Sequence, residues 1–541
     1  MKPFYDAVVI GSGFGGALTA CRMAQAGDSV CLLEKGRRWP KAEFPRSPNE
    51  VVNRAFWDEQ RRQGFIEYRS FPRMDVVQGC GVGGGSLHYF NVARQPPAAI
   101  FDDARWPRNI SLRRLEPYYR LAKAMLNAAP LSPPDGRALP LRTQTFLKAV
   151  EDCGGRPELV DIAVHTASAG RESQSACTYC GNCLLGCQVH AKNTLDLNYI
   201  PLAERHGAEV FSLHKAENIE PDGKTYRVHV TRLAGARQQL ETVTVSAKRV
   251  IVAAGTLGSN ELLLRCRDVS KSLPRLGPAL GKGFSGNGDL LLSGTLFGKA
   301  VDPSSGPSIT AGVGFSAAGH HFYIEDLGYP DPVLWYLNGA VPTWQRWQHS
   351  LRLGWNYVLL SLGLSKRSRM DLEIDRLFRG GFSTNLLPYL GMGTDAADGV
   401  LALDRDNSIT VHWKHGASMR MFREMERYLK ELSRAAGGKY LQSFLWSWPF
   451  RKLMTAHPLG GCSMSSRERE GVVDELGQVW NYPNLYVADG SIIPTSLAAN
   501  PSATISALAE RIAFHITRGR EMEVSDLGVL LPAQKFGAAA S

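Results

Sequence analysis

The sequence predicts an α/β protein of two domains, and three stretches of its 541 residues carry that prediction. Residues 6–34 run in the order strand, glycine turn, helix, strand, acid. Residues 249–255 are a second buried strand entering a glycine turn, and residues 485–491 are a third that ends in Asp489-Gly490. These three return the chain to one Rossmann-like dinucleotide-binding domain, discontinuous in sequence. The text between them differs. Residues 209–213, 226–233 and 242–246 alternate like antiparallel strands, and about 300–445 is rich in Trp, Tyr and Pro. That second region predicts a substrate-binding domain with an antiparallel sheet and helices.

Residues 7–10 are apolar and β-branched, as a buried strand requires, and residues 17–26 suit a helix. Residues 30–33 form the next strand and end at Glu34. Gly11 permits the tight turn, Gly13 lets backbone N–H groups approach a pyrophosphate, and Gly16 lets helix and strand close up. The helix N-terminus favours phosphate charge, and Glu34 is placed to accept from a ribose diol. After an excursion rich in Pro and Arg comes a second glycine stretch, QGCGVGGGSLH at 78–88, whose backbone can lie against a flat ligand or a phosphate. Residues 115–128 read as helix, as do 257–266 and 502–517, the last starting just after Asn500-Pro501. The expected division is 1–45, 74–100, 188–298 and 446–520 for the dinucleotide domain. The substrate domain and its cap take 46–73, 101–187 and 299–445.

A hydrophobic content of 44% with 21% charged residues describes an ordinary globular protein too long for one core. The net charge of +11 favours anionic surfaces. With no nucleic-acid module or basic–aromatic platform beside it, that charge points to acidic lipid rather than nucleic acid. The first strand follows Met1-Lys2-Pro3 at once, no stretch is apolar enough to span a membrane, and the expected compartment is the cytoplasm. Cys21, Cys31, Cys80, Cys153, Cys266 and Cys462 are expected as reduced core thiols.

Four stretches fall in one order: the N-terminal glycine turn, GCGVGGGSLH (79–88), HPLGGCS (457–463) and NLYVADGSIIPTSLAANPSATISALAERIA (484–513). Together they resemble the FAD-dependent glucose–methanol–choline oxidoreductases, in their cholesterol oxidase-like branch. The resemblance spans most of the chain and is weak between about 300 and 445. It implies that Gly11, Gly13, Gly16 and Glu34 hold the ADP half of FAD. It further implies that Gly83, Gly84, Gly85 and Ser86 lie along the pyrophosphate and flavin, with Asp489 and Gly490 at the ribityl–phosphate region. His457 and Asn500 match the active-site pair. The helix after Asn500-Pro501 would aim its N-terminal dipole at the flavin's pyrimidine edge. The implied activity is oxidation of an apolar secondary alcohol, a 3β-hydroxysteroid or similar lipid, by hydride transfer to flavin N5. A neutral imidazole takes or orients the hydroxyl proton and an amide positions the oxygen. The alternatives are a dehydrogenase of another alcohol that passes electrons through a cysteine-ligated iron–sulfur cluster to a quinone or partner protein, and a lipid-binding module without flavin.

Other features stay open at the sequence level. Cys177, Cys180, Cys183 and Cys187 have the C-x2-C-x2-C-x3-C spacing of ferredoxin cluster loops, without the usual following Pro. The readings are an iron–sulfur cluster, zinc, or a loop with no metal. His88 closes GGGSLH, where some relatives link flavin covalently, and otherwise packs by the ring. Trp344, Trp347, Leu351, Trp355, Val358, Leu359 and Leu362 recur at helical spacing, followed by Lys366-Arg367-Ser368-Arg369. That stripe belongs either to an anionic membrane interface or to the substrate domain's core. Glu325 lies where the resemblance puts a carboxylate that shifts a double bond, or is a surface residue beside Asp326.

Overall fold

The computed structural model describes residues 1–133, 136–166, 174–233, 241–333, 344–364, 384–443, 445–447 and 451–531. The chain starts with β1 (Phe4–Ile10), α1 (Phe14–Gln25) and β2 (Val30–Glu34). β2 is buried at every position and β1 at its last four, as continuous apolar runs require when both faces are covered. β3 (Glu209–Ser212), β4 (His214–Asp222), β5 (Thr225–Arg232) and β6 (Glu241–Val252) complete the sheet with the late strand Leu485–Val487.

β6 is the pivot. Its first half pairs antiparallel with β5, and its second half pairs in parallel with β1 and with Leu485–Val487. The register Val252↔Val487 brings Asp489 to the same end of the strands as the turn after β1. The segment expected as antiparallel at 209–213 is instead parallel to β2, with Cys31 opposite Glu209 and Glu34 opposite Ser212. Period-two alternation reports one covered face and is silent on direction.

α1 is buried along almost its whole length and packs on α4 (Ser502–Arg518). The contact carries a buried ion pair, Arg22 to both oxygens of Glu510 at 2.8 and 2.9 Å, with the Tyr199 hydroxyl donating to the same carboxylate at 2.7 Å.

The second sheet is antiparallel throughout. Its order is Lys439–Leu441, β7 (Leu290–Leu296), β10 (Leu386–Gly393), β9 (His320–Asp326), β8 (Ala311–Ala317) and Glu158–Leu159. β10 is buried at all eight positions. A Cβ at Gly391 or Gly393 would meet the sulfur of Met425 or Met421 at 2.4 or 2.5 Å, so these glycines let the helix Met419–Ala435 lie close. The sheet crosses the boundary expected at 298, because β7 pairs with β10.

A third, small sheet places Leu453–Thr455 parallel to Met74–Gly79, with Ile66–Ser70 on the other edge. It therefore sets the segment entering His457 beside the segment entering the second glycine loop. Among the described residues no helix is long and apolar enough to cross a membrane, and the ten cysteines are all free thiols.

Candidate active site

One cavity of about 490 Å³ runs between the two glycine turns and the sheets. The turns touch each other: a Cβ at Gly84 would lie 2.5 Å from Gly13 Cα. Ser12 stitches them, its hydroxyl donating to Glu34 at 2.7 Å and accepting from the Gly83 N–H at 3.1 Å. At Gly15 an added Cβ would sit 1.8 Å from the Ala488 carbonyl, and at Gly16 equally close to that of Gly11. At Gly13 and Gly85 it would meet nothing within 4 Å, so these two glycines bare their backbone to the cavity.

Of the residues singled out for a cofactor, Gly11, Gly13, Glu34, Gly84, Gly85, His88, Asp489, Gly490, Asn500 and Pro501 line the cavity. Gly16, Gly83 and Ser86 stand behind it as braces, Ser86 by accepting from the Leu195 N–H and donating to the Gly83 carbonyl. Glu34 differs from expectation. Its oxygens already accept from Ser12 N and Oγ, Gly36 N and Gly81 N, which fills a carboxylate's acceptor positions. It locks the two turns together, and a ribose diol would have to share those oxygens. Asp489 is a similar clamp: it accepts from Gly255 N at the start of α2 (Gly255–Leu264), from Ser259 Oγ, and from Ser491 N and Oγ. Burial pushes its carboxyl above the usual range against those donors.

His457 and Asn500 both reach the cavity wall. His457 Nδ1 lies 3.0 Å from Asp289 Oδ1, while Asp289 Oδ2 accepts from the Ala456 N–H and the Thr455 hydroxyl. Sequence reasoning missed Asp289. It sits in Gly286-Asn287-Gly288-Asp289, a turn that also holds the loop into Asn500: Asn287 Nδ2 donates to the Ala499 carbonyl and its Oδ1 accepts from Leu497 N. One turn thus positions both candidate catalytic residues. The only local signal was its turn composition.

Glu325 is neither a surface residue nor on the cavity wall. It is wholly buried, absent from the lining, and its Oε2 accepts from Asn500 Nδ2 at 3.2 Å. Burial pushes its pKa up to about 8, against the pull of the Asn500 hydrogen bond and Arg94. The carboxyl stands directly behind Asn500, one side chain removed from the cavity.

Residues 5–279 and 404–509 match the two modules of the GMC oxidoreductase family. A cholesterol oxidase of Acinetobacter baumannii is 30% identical, over 96% of this chain and 95% of its own. A cholesterol oxidase of Mycobacterium tuberculosis is 28% identical, over 95% and 91% respectively. Among solved structures, formate oxidase of Aspergillus oryzae, described for its FAD modification, matches with a TM-score of 0.66 at 13% identity, over 97% of this chain and 99% of that one. The chain belongs to the GMC oxidoreductase family. It is an FAD-dependent enzyme acting on CH–OH groups.

The cavity of this GMC oxidoreductase fits the cofactor on its own terms. His88 Nε2 and Asn500 Oδ1 are buried polar atoms without a hydrogen-bond partner, and both residues face the cavity. Such atoms need a partner, and a flavin's heteroatoms can supply one. Gly13 and Gly85 leave room for close backbone approach. Burial, then the charges of Lys192 and His457, push the His88 pKa down to about 3, so its ring is neutral. A neutral Nε2 suits both a covalent linkage and simple packing by the ring.

Cys177, Cys180, Cys183 and Cys187 line a separate, small cavity with Lys192. Burial pushes the Cys177 thiol up to about 12 and raises Cys187 as well. Among the described residues no group of three or more His, Cys, Asp or Glu side chains could hold a metal ion. The iron–sulfur and zinc readings therefore find no ligand set here. What the loop visibly does is brace. Lys192 Nζ donates to the carbonyls of Leu87, Tyr89 and Cys183 at 3.0, 2.9 and 2.8 Å, tying the loop to both neighbours of His88. Leu184 and Leu185, from the same loop, line the main cavity.

Proposed function

We propose that this protein oxidises a bulky apolar secondary alcohol, a 3β-hydroxysteroid or a lipid alcohol of similar shape. The observation that carries this reading is the apolar part of the cavity lining. Phe90, Leu184, Leu291, Leu292, Tyr329 and Val333 line the same cavity as His457 and Asn500 and offer apolar surface to a bulky alcohol. The two similar cholesterol oxidases support the same substrate class.

FAD, when bound, supplies the hydride acceptor. The chain's own residues do the rest. Asp289 holds Nδ1 of His457 as the protonated nitrogen, leaving Nε2 to accept the hydroxyl proton. The imidazolium then formed is stabilised by the same carboxylate. Asn500 spends one N–H on Glu325 and keeps a second to donate to the substrate oxygen. The apolar wall excludes water from the carbon that loses hydride. The alternative is a dehydrogenase feeding a quinone or partner protein through a cysteine-bound cluster, a reading that no observation among the described residues supports.

Anaerobic titration of the holoenzyme with sterols, long-chain alcohols and sugars tests the reading. Bleaching of the flavin by 3β-hydroxysteroids at the lowest concentrations is expected. Bleaching by sugars alone would overturn it.

A further inference from the structure

The segment whose stripe of Trp and Leu was left open forms α3 (Trp344–Ser361). A helix that covers a core turns its apolar stripe inward. In α3 most of the stripe faces outward, Leu359 being its one half-buried member among the described side chains. Trp347 is 61% exposed, Leu351 61%, Trp355 64%, Val358 43% and Leu362, just past the helix end, 65%. At 100° per residue these five lie on one side, and Leu353, Asn356 and Leu360, on the other side, are half-buried. Tyr357 and Leu364 add further exposed apolar surface. A contiguous outward patch of this kind marks a surface that is covered in use.

We propose that α3 docks the protein on an anionic lipid bilayer, with this stripe lying in the headgroup–acyl boundary. Charge selects the occupant. Between Asp331 and Asp371 the sequence has no Asp or Glu, while it has Arg346, Arg352, Lys366, Arg367 and Arg369, in a chain of net charge +11. Lys366, Arg367 and Arg369 lie outside the described residues and enter only through their charge. A second copy docked on the same stripe would bring two such acid-free segments together, whereas anionic headgroups attract both. Trp side chains beside apolar residues, with Arg352 on the flank, are the composition of an in-plane interfacial helix. Tyr329 and Val333, which line the cavity, precede α3 closely in the chain. The docking does not depend on the reaction, so it stands or falls on lipid binding alone.

Flotation of the full-length holoenzyme tests it, with vesicles of equimolar phosphatidylcholine and phosphatidylglycerol compared with phosphatidylcholine alone. The protein is expected to float with the anionic vesicles at low salt and much less with the neutral ones. Trp347→Ser combined with Trp355→Ser should lower the bound fraction on the order of tenfold, with flavin absorbance and melting temperature unchanged. Arg352→Glu, which keeps the stripe, should weaken binding at low salt only. A wild-type protein that stays down with anionic vesicles overturns the proposal, and so does a double variant that floats as well as wild type. A dimer seen by sedimentation, lost in the double variant and accompanied by no flotation, would assign the stripe to self-association instead.

Discussion

Asp289 and His457 are 168 residues apart in sequence, and their side chains meet at 3.0 Å, carboxylate Oδ1 to imidazole Nδ1. The second carboxylate oxygen holds Thr455 and Ala456, the two residues before the histidine, and the Thr455 hydroxyl accepts from the His457 N–H. Ring and backbone are therefore fixed by the same group. An acceptor on Nδ1 dictates which tautomer the cavity meets.

Asp289→Asn should keep FAD bound while slowing flavin reduction by about 10²-fold, because the amide can present an N–H to Nδ1 and allow the wrong tautomer. Stopped-flow reduction under anaerobic conditions measures it. An unchanged rate would remove Asp289 from the proton-transfer assembly.

His457→Ala should lose roughly 10²- to 10⁴-fold in flavin reduction, the usual contribution of a general base, with the flavin spectrum retained. Loss of FAD instead would assign the ring a binding role.

Glu325 carries a pKa near 8, compared with 4.5 for an unperturbed glutamate. The folded protein thus keeps a proton that the unfolded chain releases. The stabilisation is complete below about pH 4.5, falls as pH rises, and is gone above about pH 8. Its slope is at most about 1.4 kcal/mol per pH unit. Glu325→Gln should flatten the stability curve across that window in urea unfolding. Parallel curves for variant and wild type would contradict a buried neutral Glu325.

The glycines separate folding from binding. Gly13→Ala adds a Cβ that meets no other protein segment within 4 Å, so the fold should survive and FAD retention fall. Gly15→Val drives a Cβ to 1.8 Å from the Ala488 carbonyl and should give little folded protein. Flavin content per folded molecule, read against far-UV circular dichroism, distinguishes the two.

Arg22→Ala leaves Glu510 buried without its partner and should cost about 3–5 kcal/mol. Arg22→Met with Glu510→Leu should recover most of it, since both charges then disappear. If the single variant melts like wild type, α1 and α4 do not depend on this pair.

Much of the site was legible in the chain. Gly11, Gly13, Gly84 and Gly85 stand out because backbone that must approach a ligand or another turn leaves glycine as its trace. Asp489, His457 and Asn500 sit in stretches that read as motifs. Asp289 was invisible, because what matters about it is a partner far away in sequence. Glu34 and Glu325 were seen, but their surroundings were not: one is filled by four of the protein's own donors, the other stands behind Asn500. The expected boundary at 298 failed because β7 joins the substrate sheet by pairing with residues almost a hundred positions later.

The sequence by itself determined the strand–turn–helix–strand succession from β1 to β2, the two glycine turns and the family, since each rests on local backbone constraints. Only the tertiary structure decided which side of α3 faces outward, which carboxylate holds His457, and which stands behind Asn500. Periodicity specifies that a helix has an apolar side without specifying what that side meets. A titratable side chain takes its role from neighbours that only the folded chain brings near.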